Sequence, residues 1–305
     1  MENCKLPEEK ELKVIFSGSY DDTEEIRTLS SPEGIEEIAE NTFKGFLCLE
    51  EISLPKSLKI IGPSAFADCK NLKKVNISCG LIEIRSEAFL GCSSLNSVIL
   101  PDTLTRIDSG AFEACASLTR IKLSESLLMI GAGAFAYCFN LTDITIPDSC
   151  ILAEFNAFAS CFSLEAVKLS DNMALIDESL FEGCRSLVTV DLPARLTKIG
   201  RRAFRGCSSL KSLILPVGLS SIGFDAFADC SSLSRIAIPK EVREIEDEDI
   251  FNGCDSLTDI SYGGSKEEWE YLVHGRIVSV EHSDASVTIP RVTFLNLGGG
   301  KRNEV

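Results

Sequence analysis

Thirteen cysteines and only two histidines stand in this 305-residue chain, so thiolate, metal and disulfide chemistry are the first possibilities its residues raise. Nine of the cysteines recur on one frame, as Cys69, Cys92, Cys115, Cys138, Cys161, Cys184, Cys207, Cys230 and Cys254, at steps of 23 residues and a last step of 24. No C-x-x-C pair occurs, and a thiol met once per 23 residues is one thiol per structural repeat. In a parallel stack such side chains point the same way at ~4.8 Å spacing, a geometry in which neighbours pair poorly as disulfides. The expectation is a ladder of buried, reduced and inert thiols that behave as small hydrophobes. Cys4, Cys48, Cys79 and Cys150 lie outside it; Cys48 takes a position where other repeats carry Ser or Asn, Cys150 replaces a core aliphatic, and packing accounts for both.

Other chemistry finds no constellation to carry it. His274 and His282 are near the carboxyl end without a ligand cluster or a nucleophile motif, so they read as surface or cap residues. Gly131-Ala132-Gly133-Ala134-Phe135-Ala136 matches the glycine fingerprint of dinucleotide-binding turns, but the chain re-enters its repeat at once and leaves no long helix to receive a pyrophosphate. The acidic run from Glu244 to Asp249 lacks the alternating ligands of a calcium loop. Asn76-Ile77-Ser78 and Asn140-Leu141-Thr142 match the glycosylation sequon, a short pattern that arises readily by chance. The chain is read as a non-enzyme with no catalytic, cofactor-binding or metal-binding residues.

The elements that position the thiols are set by the same period. Phe43, Phe66, Phe89, Phe112, Phe135, Phe158, Phe181, Phe204 and Phe227 are 23 residues apart, and Phe251 follows after 24. Counting from each Phe, the third residue is Cys in the last nine repeats and Phe46 in the first; the sixth is always Leu. The ninth is aliphatic and the eleventh apolar, Pro often comes twelfth, and apolar residues return at fifteen and eighteen. The unit is A-F-x-x-C-x-S-L-x-x-I-x-L-P-x-x-L-x-x-I-G. L-x-x-I-x-L ends in a period-two pair, the mark of a short strand with one buried face, and Pro stops it by removing a ladder donor. L-x-x-I-G suggests a second short strand. A-F-x-x-C is too brief for a free-standing helix and reads as a helical or 3₁₀ turn with Phe plugging the interior. One such coil cannot bury enough apolar surface to offset its backbone entropy; stacked coils can.

The unit resembles the BspA-type, or Treponema pallidum-type, leucine-rich repeat over residues 20 to 262, and Tyr262-Gly263-Gly264 through Glu267-Glu268-Trp269 is similar to a terminal element common in that family. The resemblance implies a leucine-rich-repeat solenoid, β-rich, with parallel sheets and short helical or 3₁₀ turns. It also implies an adhesin-like role in host interaction. The organisation expected is an N-terminal cap with one degenerate repeat over 1–42, regular repeats over 43–262, a C-terminal cap over 263–297 with a short helix from Lys266 to Val273, and a polar tail over 298–305.

Function is then sought on surfaces. Residues eight and ten after each Phe face outward from the main sheet, and the partner-binding face expected there comprises Lys74, Ser97, Arg120, Lys122, Asp143, Thr145 and Lys168, with a basic cluster of Lys74, Arg120, Lys122 and Lys168. Neither column holds an aromatic residue, and the formal charge of −16 excludes sequence-independent nucleic-acid binding. A protein partner is expected, without nucleic acid or membrane insertion. The alternative is an intracellular scaffold or regulator using the solenoid edges or cap. No signal peptide is visible among the charged residues from Met1 to Arg27, which points to the cytoplasm, with the cell surface or secretion by an unconventional route as the alternative.

Overall fold

A computed structural model describes residues 27–31, 33–246, 250–273, 280–281 and 287–295. The chain divides into two compact units, 1–162 and 163–305. Each is a parallel β-solenoid stack of 23-residue coils, six of them marked by Phe43 to Phe158 in the first unit and four by Phe181 to Phe251 in the second.

In the first unit the L-x-x-I-x-L pieces form three-residue strands, Thr28–Ser30, Glu51–Ser53, Lys74–Asn76, Ser97–Ile99 and Arg120–Lys122, which pair in chain order as one parallel sheet. The register steps by one coil, so Lys74 faces Ser97, and Ile99 faces Lys122. A second parallel sheet of two-residue strands runs from Glu37–Ile38 to Leu152–Ala153 along another side of the coils. Only the middle residue of each three-residue strand is buried, as period-two alternation requires. The second unit repeats the design. Arg235–Ile238 and Asp259–Tyr262 pair in parallel, and Arg291–Phe294 adds to them. A hairpin of Val280–Glu281 with Val287–Thr288 is antiparallel. The helix Lys266–Leu272 is fixed by a capping box between Ser265 and Glu268, and it buries Trp269 against Tyr262, ring centroids 5.2 Å apart.

The A-F-x-x-C segment is not helical. Two residues per coil, the second before and the second after Phe, take left-handed backbone angles, as Glu87 and Gly91 do around Phe89 with φ of 58° and 69°. They alternate the direction of the peptide N–H groups. Asn41, Phe43 and Gly45 donate to the carbonyls of Pro63, Ala65 and Ala67 one coil on, at 3.0, 2.7 and 2.7 Å, while Ala67 and Cys69 close turns within their own coil on Ser64 and Phe66. A helix would turn every donor inward on the segment; this alternation lets the stack share its backbone bonds even where there is no strand. The same geometry disposes of the glycine fingerprint. Gly133 is the left-handed residue before Phe135, with φ of 61°, and a β-carbon on Gly131 would come within 2.5 Å of the Ser109 nitrogen in the coil before.

Phenylalanine rings stack along each interior. In the first unit successive centroids from Phe43 to Phe158 are 5.0–5.5 Å apart with interplanar angles of 2–10°, close to the spacing of adjacent parallel strands. The thiols run beside them, and each described bond has the same form. Sγ of Cys69, Cys92, Cys115, Cys138 and Cys161 donates to the carbonyl of the Phe in the preceding coil, at 3.0–3.3 Å. In the second unit Cys207, Cys230 and Cys254 do likewise at 3.1–3.3 Å. This explains cysteine where alanine or valine would fill similar space: the slot is apolar but offers one carbonyl acceptor. Burial pushes the Cys69 and Cys138 thiols up to about 12, and raises those of Cys92, Cys115, Cys207 and Cys230 well above their ordinary value. The expected reduced, buried ladder is therefore present, and burial of Cys150 likewise lifts its thiol to about 11. Cys48 is a correction. It is disulfide-bonded, so packing does not account for it.

Of the cap and degenerate repeat expected over 1–42, Thr28–Ser30 and Glu37–Ile38 are strands paired in parallel with the next coil, while residues 1–26, the histidines His274 and His282, and the tail over 298–305 lie outside the described residues.

Candidate partner-binding face

Alternation places two side chains of each three-residue strand on the outside, which is why a surface can be assembled column by column. In the first unit Lys74, Ser97, Arg120, Lys122, Asp143 and Thr145 are all exposed on that face. Lys168 is exposed on the corresponding strand of the second unit, Ala166–Lys168.

The cations on the first unit are not equivalent. Lys74 Nζ pairs with Glu51 at 3.1 Å, and the Asn76 amide donates to the same carboxylate at 2.8 Å. That amide bond, followed by the bond and charge of Lys74, holds the Glu51 carboxyl below its usual range. Arg120 faces Asp143 at 3.8 Å, with both side chains mostly exposed. Among the described residues no ion pair involves Lys122. A little further round the coil, Glu50 bridges Lys73 at 2.7 Å and Arg27 at 3.0 Å, and its carboxyl is lowered chiefly by the Lys73 hydrogen bond. Solvent-exposed pairs of this kind contribute little to stability. What they do is neutralise the flanks, so that positive charge on this face concentrates at Lys122 and Arg120.

Ile99 is the residue that charge reasoning passed over. It is 79% exposed and stands beside Lys122 in register, a large aliphatic side chain on an otherwise polar face. The signal was in the sequence, because the tenth position after Phe is polar in the neighbouring coils: Asn76, Lys122, Thr145. Away from this face, Tyr137 and Phe139 are exposed at the turn side of the coils and were missed for the same reason: only the sheet columns were read.

Among the described residues, no group of three or more His, Cys, Asp or Glu is placed to hold a metal ion. Among those residues, too, no helix is long and apolar enough to cross a membrane.

No curated protein matches the chain. Solved structures do. A leucine-rich repeat protein of T. pallidum is 29% identical, the match covering 68% of this chain and 91% of that one with a TM-score of 0.46. A leucine rich cell surface protein from Faecalibacterium prausnitzii is 26% identical over 82% of this chain and 91% of that one, with a TM-score of 0.42. The pneumococcal vaccine antigen PcpA shares the fold at 20% identity, over 88% of this chain and 81% of that one, with a TM-score of 0.54. The model of the BspA type leucine rich repeat region matches residues 1–115, 36–161, 82–208 and 151–273 in overlapping stretches. With the 23-residue coils, the paired parallel sheets and that coverage, the chain belongs to the BspA-type leucine-rich repeat family.

Proposed function

We propose that this protein is a non-enzymatic scaffold that presents the outward face of its three-residue strands to a protein partner. Membership of a repeat family built as a binding scaffold supports the general reading. The observation that carries the specific one is the quartet Ser97, Ile99, Arg120 and Lys122, two adjacent strands in register with all four side chains exposed. An exposed aliphatic flanked by an unpaired lysine and a weakly paired arginine suits an extended acidic segment with one apolar side chain. Asp143 and Thr145 extend this surface in the first unit, with Lys74 at its neutralised margin and Lys168 its counterpart in the second.

The partner meets the protein outside the cytoplasm in this reading. Membership of the BspA-type family supports it, and the cytoplasmic expectation finds no support. The test is cross-linked capture from intact cells of the native source, with wild type, Ile99→Ser and Lys122→Glu compared as purified proteins against the partner so identified. Loss of binding in both variants with unchanged thermal midpoints is the expected result. Unchanged affinity in both removes this face from the function, and full protection of the protein from protease added to intact cells removes the location.

A further inference from the structure

We infer that the first unit carries a carbohydrate-binding platform on its turn side, formed by Tyr137, Phe139 and Asn140 and backed by Phe162. It is distinct from the sheet face and does not depend on the partner proposed there.

The starting point is Tyr137. It occupies the left-handed position two residues after Phe135, with φ of 60°. At that position the other coils of the first unit carry Gly45, Asp68, Gly91, Ala114 and Ser160, glycine or short side chains that tolerate the conformation. A bulky aromatic is out of place there on conformational grounds, and burial does not compensate, because Tyr137 is 46% exposed. A tyrosine held where folding disfavours it, and left in water, is explained by use.

Its surroundings have the chemistry of sugar recognition. Phe139, two residues on, is 37% exposed and meets the Tyr137 ring edge-on, centroids 6.2 Å apart at 76°. Phe162 stacks behind Phe139 from the next coil at 4.9 Å and 16°. In the preceding coil the two equivalent positions carry Ala114 and Ala116. Tyr137 and Phe139 thus form one exposed aromatic surface. Asn140 borders it. Asn71, at the same place in its own coil, donates its amide to the Leu47 carbonyl at 2.7 Å; Asn140 is exposed and, among the described residues, makes no such bond. A pyranose with equatorial hydroxyls has a flat face of C–H groups that packs on an aromatic ring and hydroxyl pairs that a planar carboxamide can bond as both donor and acceptor. The backbone here is already fixed: Tyr137 N–H donates to the Ala159 carbonyl at 2.8 Å and Phe139 N–H to that of Tyr137 at 2.9 Å, so the platform needs little ordering on binding. The ligand class assigned is a β-linked oligosaccharide of all-equatorial pyranose units.

The test uses the full chain with cellotetraose and chitotetraose as probes, followed by saturation-transfer NMR with irradiation of the aromatic protons. Transfer to the axial ring protons of at least one tetrasaccharide is expected. The deciding variant is Tyr137→Gly, which relieves the left-handed strain: its thermal midpoint should rise, while binding weakens by about tenfold or more. Asn140→Ala should weaken binding without moving the midpoint. Absence of transfer to both sugars, or equal transfer in wild type and Tyr137→Gly, overturns the inference. So does a wild-type self-association in sedimentation that Tyr137→Gly abolishes, which would assign the aromatics to a second copy of the chain.

Discussion

Raising the pH should destabilise this protein through its buried thiols. In the native state burial holds the Cys138 thiol at about 12, against an ordinary value of 9.0 that the unfolded chain regains. The folded value lies above the unfolded one, so the stabilisation is fully present below pH 9 and is lost as the pH rises from 9 towards 12, where the unfolded chain alone gives up its proton. At pH 10 the loss for one such thiol is about 1.4 kcal/mol relative to pH 7, and Cys69 adds a similar amount. Two thiols alone thus remove ~3 kcal/mol, a large part of a marginal folding free energy of ~5–15 kcal/mol. The assay is urea denaturation at pH 7, 8, 9 and 10 under reducing conditions, following wild type and Cys138→Ser. Serine keeps a donor for the Phe112 carbonyl, which Cys138 now bonds at 3.2 Å, but cannot ionise in this range. Its destabilisation at pH 7 should therefore be modest, and its pH slope above 9 shallower than wild type by about 1.4 kcal/mol per pH unit. Lysine and tyrosine titrations cancel in the comparison. Parallel slopes for the two proteins would refute the reasoning, since they would mean that Cys138 ionises as readily folded as unfolded.

Alkylation gives the same ladder a kinetic reading: at pH 8 a thiol near 12 holds ~10³-fold less thiolate than an ordinary one, so Cys79, which is exposed, should react first and the ladder only on denaturation. Phe112→Ala should cost about 3–5 kcal/mol, because it opens the ring stack between Phe89 and Phe135, with loss of hydrogen-exchange protection concentrated in the adjoining coils. Gly131→Ala should destabilise sharply in thermal melts, its β-carbon meeting backbone at 2.5 Å, whereas Ala114→Gly, at φ of 57°, should stabilise by up to ~1 kcal/mol. Ser265→Ala removes half of the capping box and should cost about 1 kcal/mol, read as faster amide exchange in the first turn of Lys266–Leu272.

The period of Phe, Cys and Leu was enough, by itself, to determine the coil, its strands, its buried ladder and the family. A 23-residue repeat admits few ways of covering its apolar positions, and in a parallel stack like residues must lie over like, so Phe89, Cys92 and Leu95 meet Phe112, Cys115 and Leu118 without further information. The outward columns followed from period two. Three things were settled only in three dimensions. The A-F-x-x-C turn needed the inter-coil direction of its N–H groups, which no local propensity encodes. The charges of Lys74 and Arg120 needed distances, because Glu51 and Asp143 belong to neighbouring strands whose side chains meet only across the sheet. And the exposed rings of Tyr137 and Phe139 were visible as letters, but their backbone cost and their exposure were not: a sequence shows which side chain is present, while tertiary structure decides which of its faces meets water.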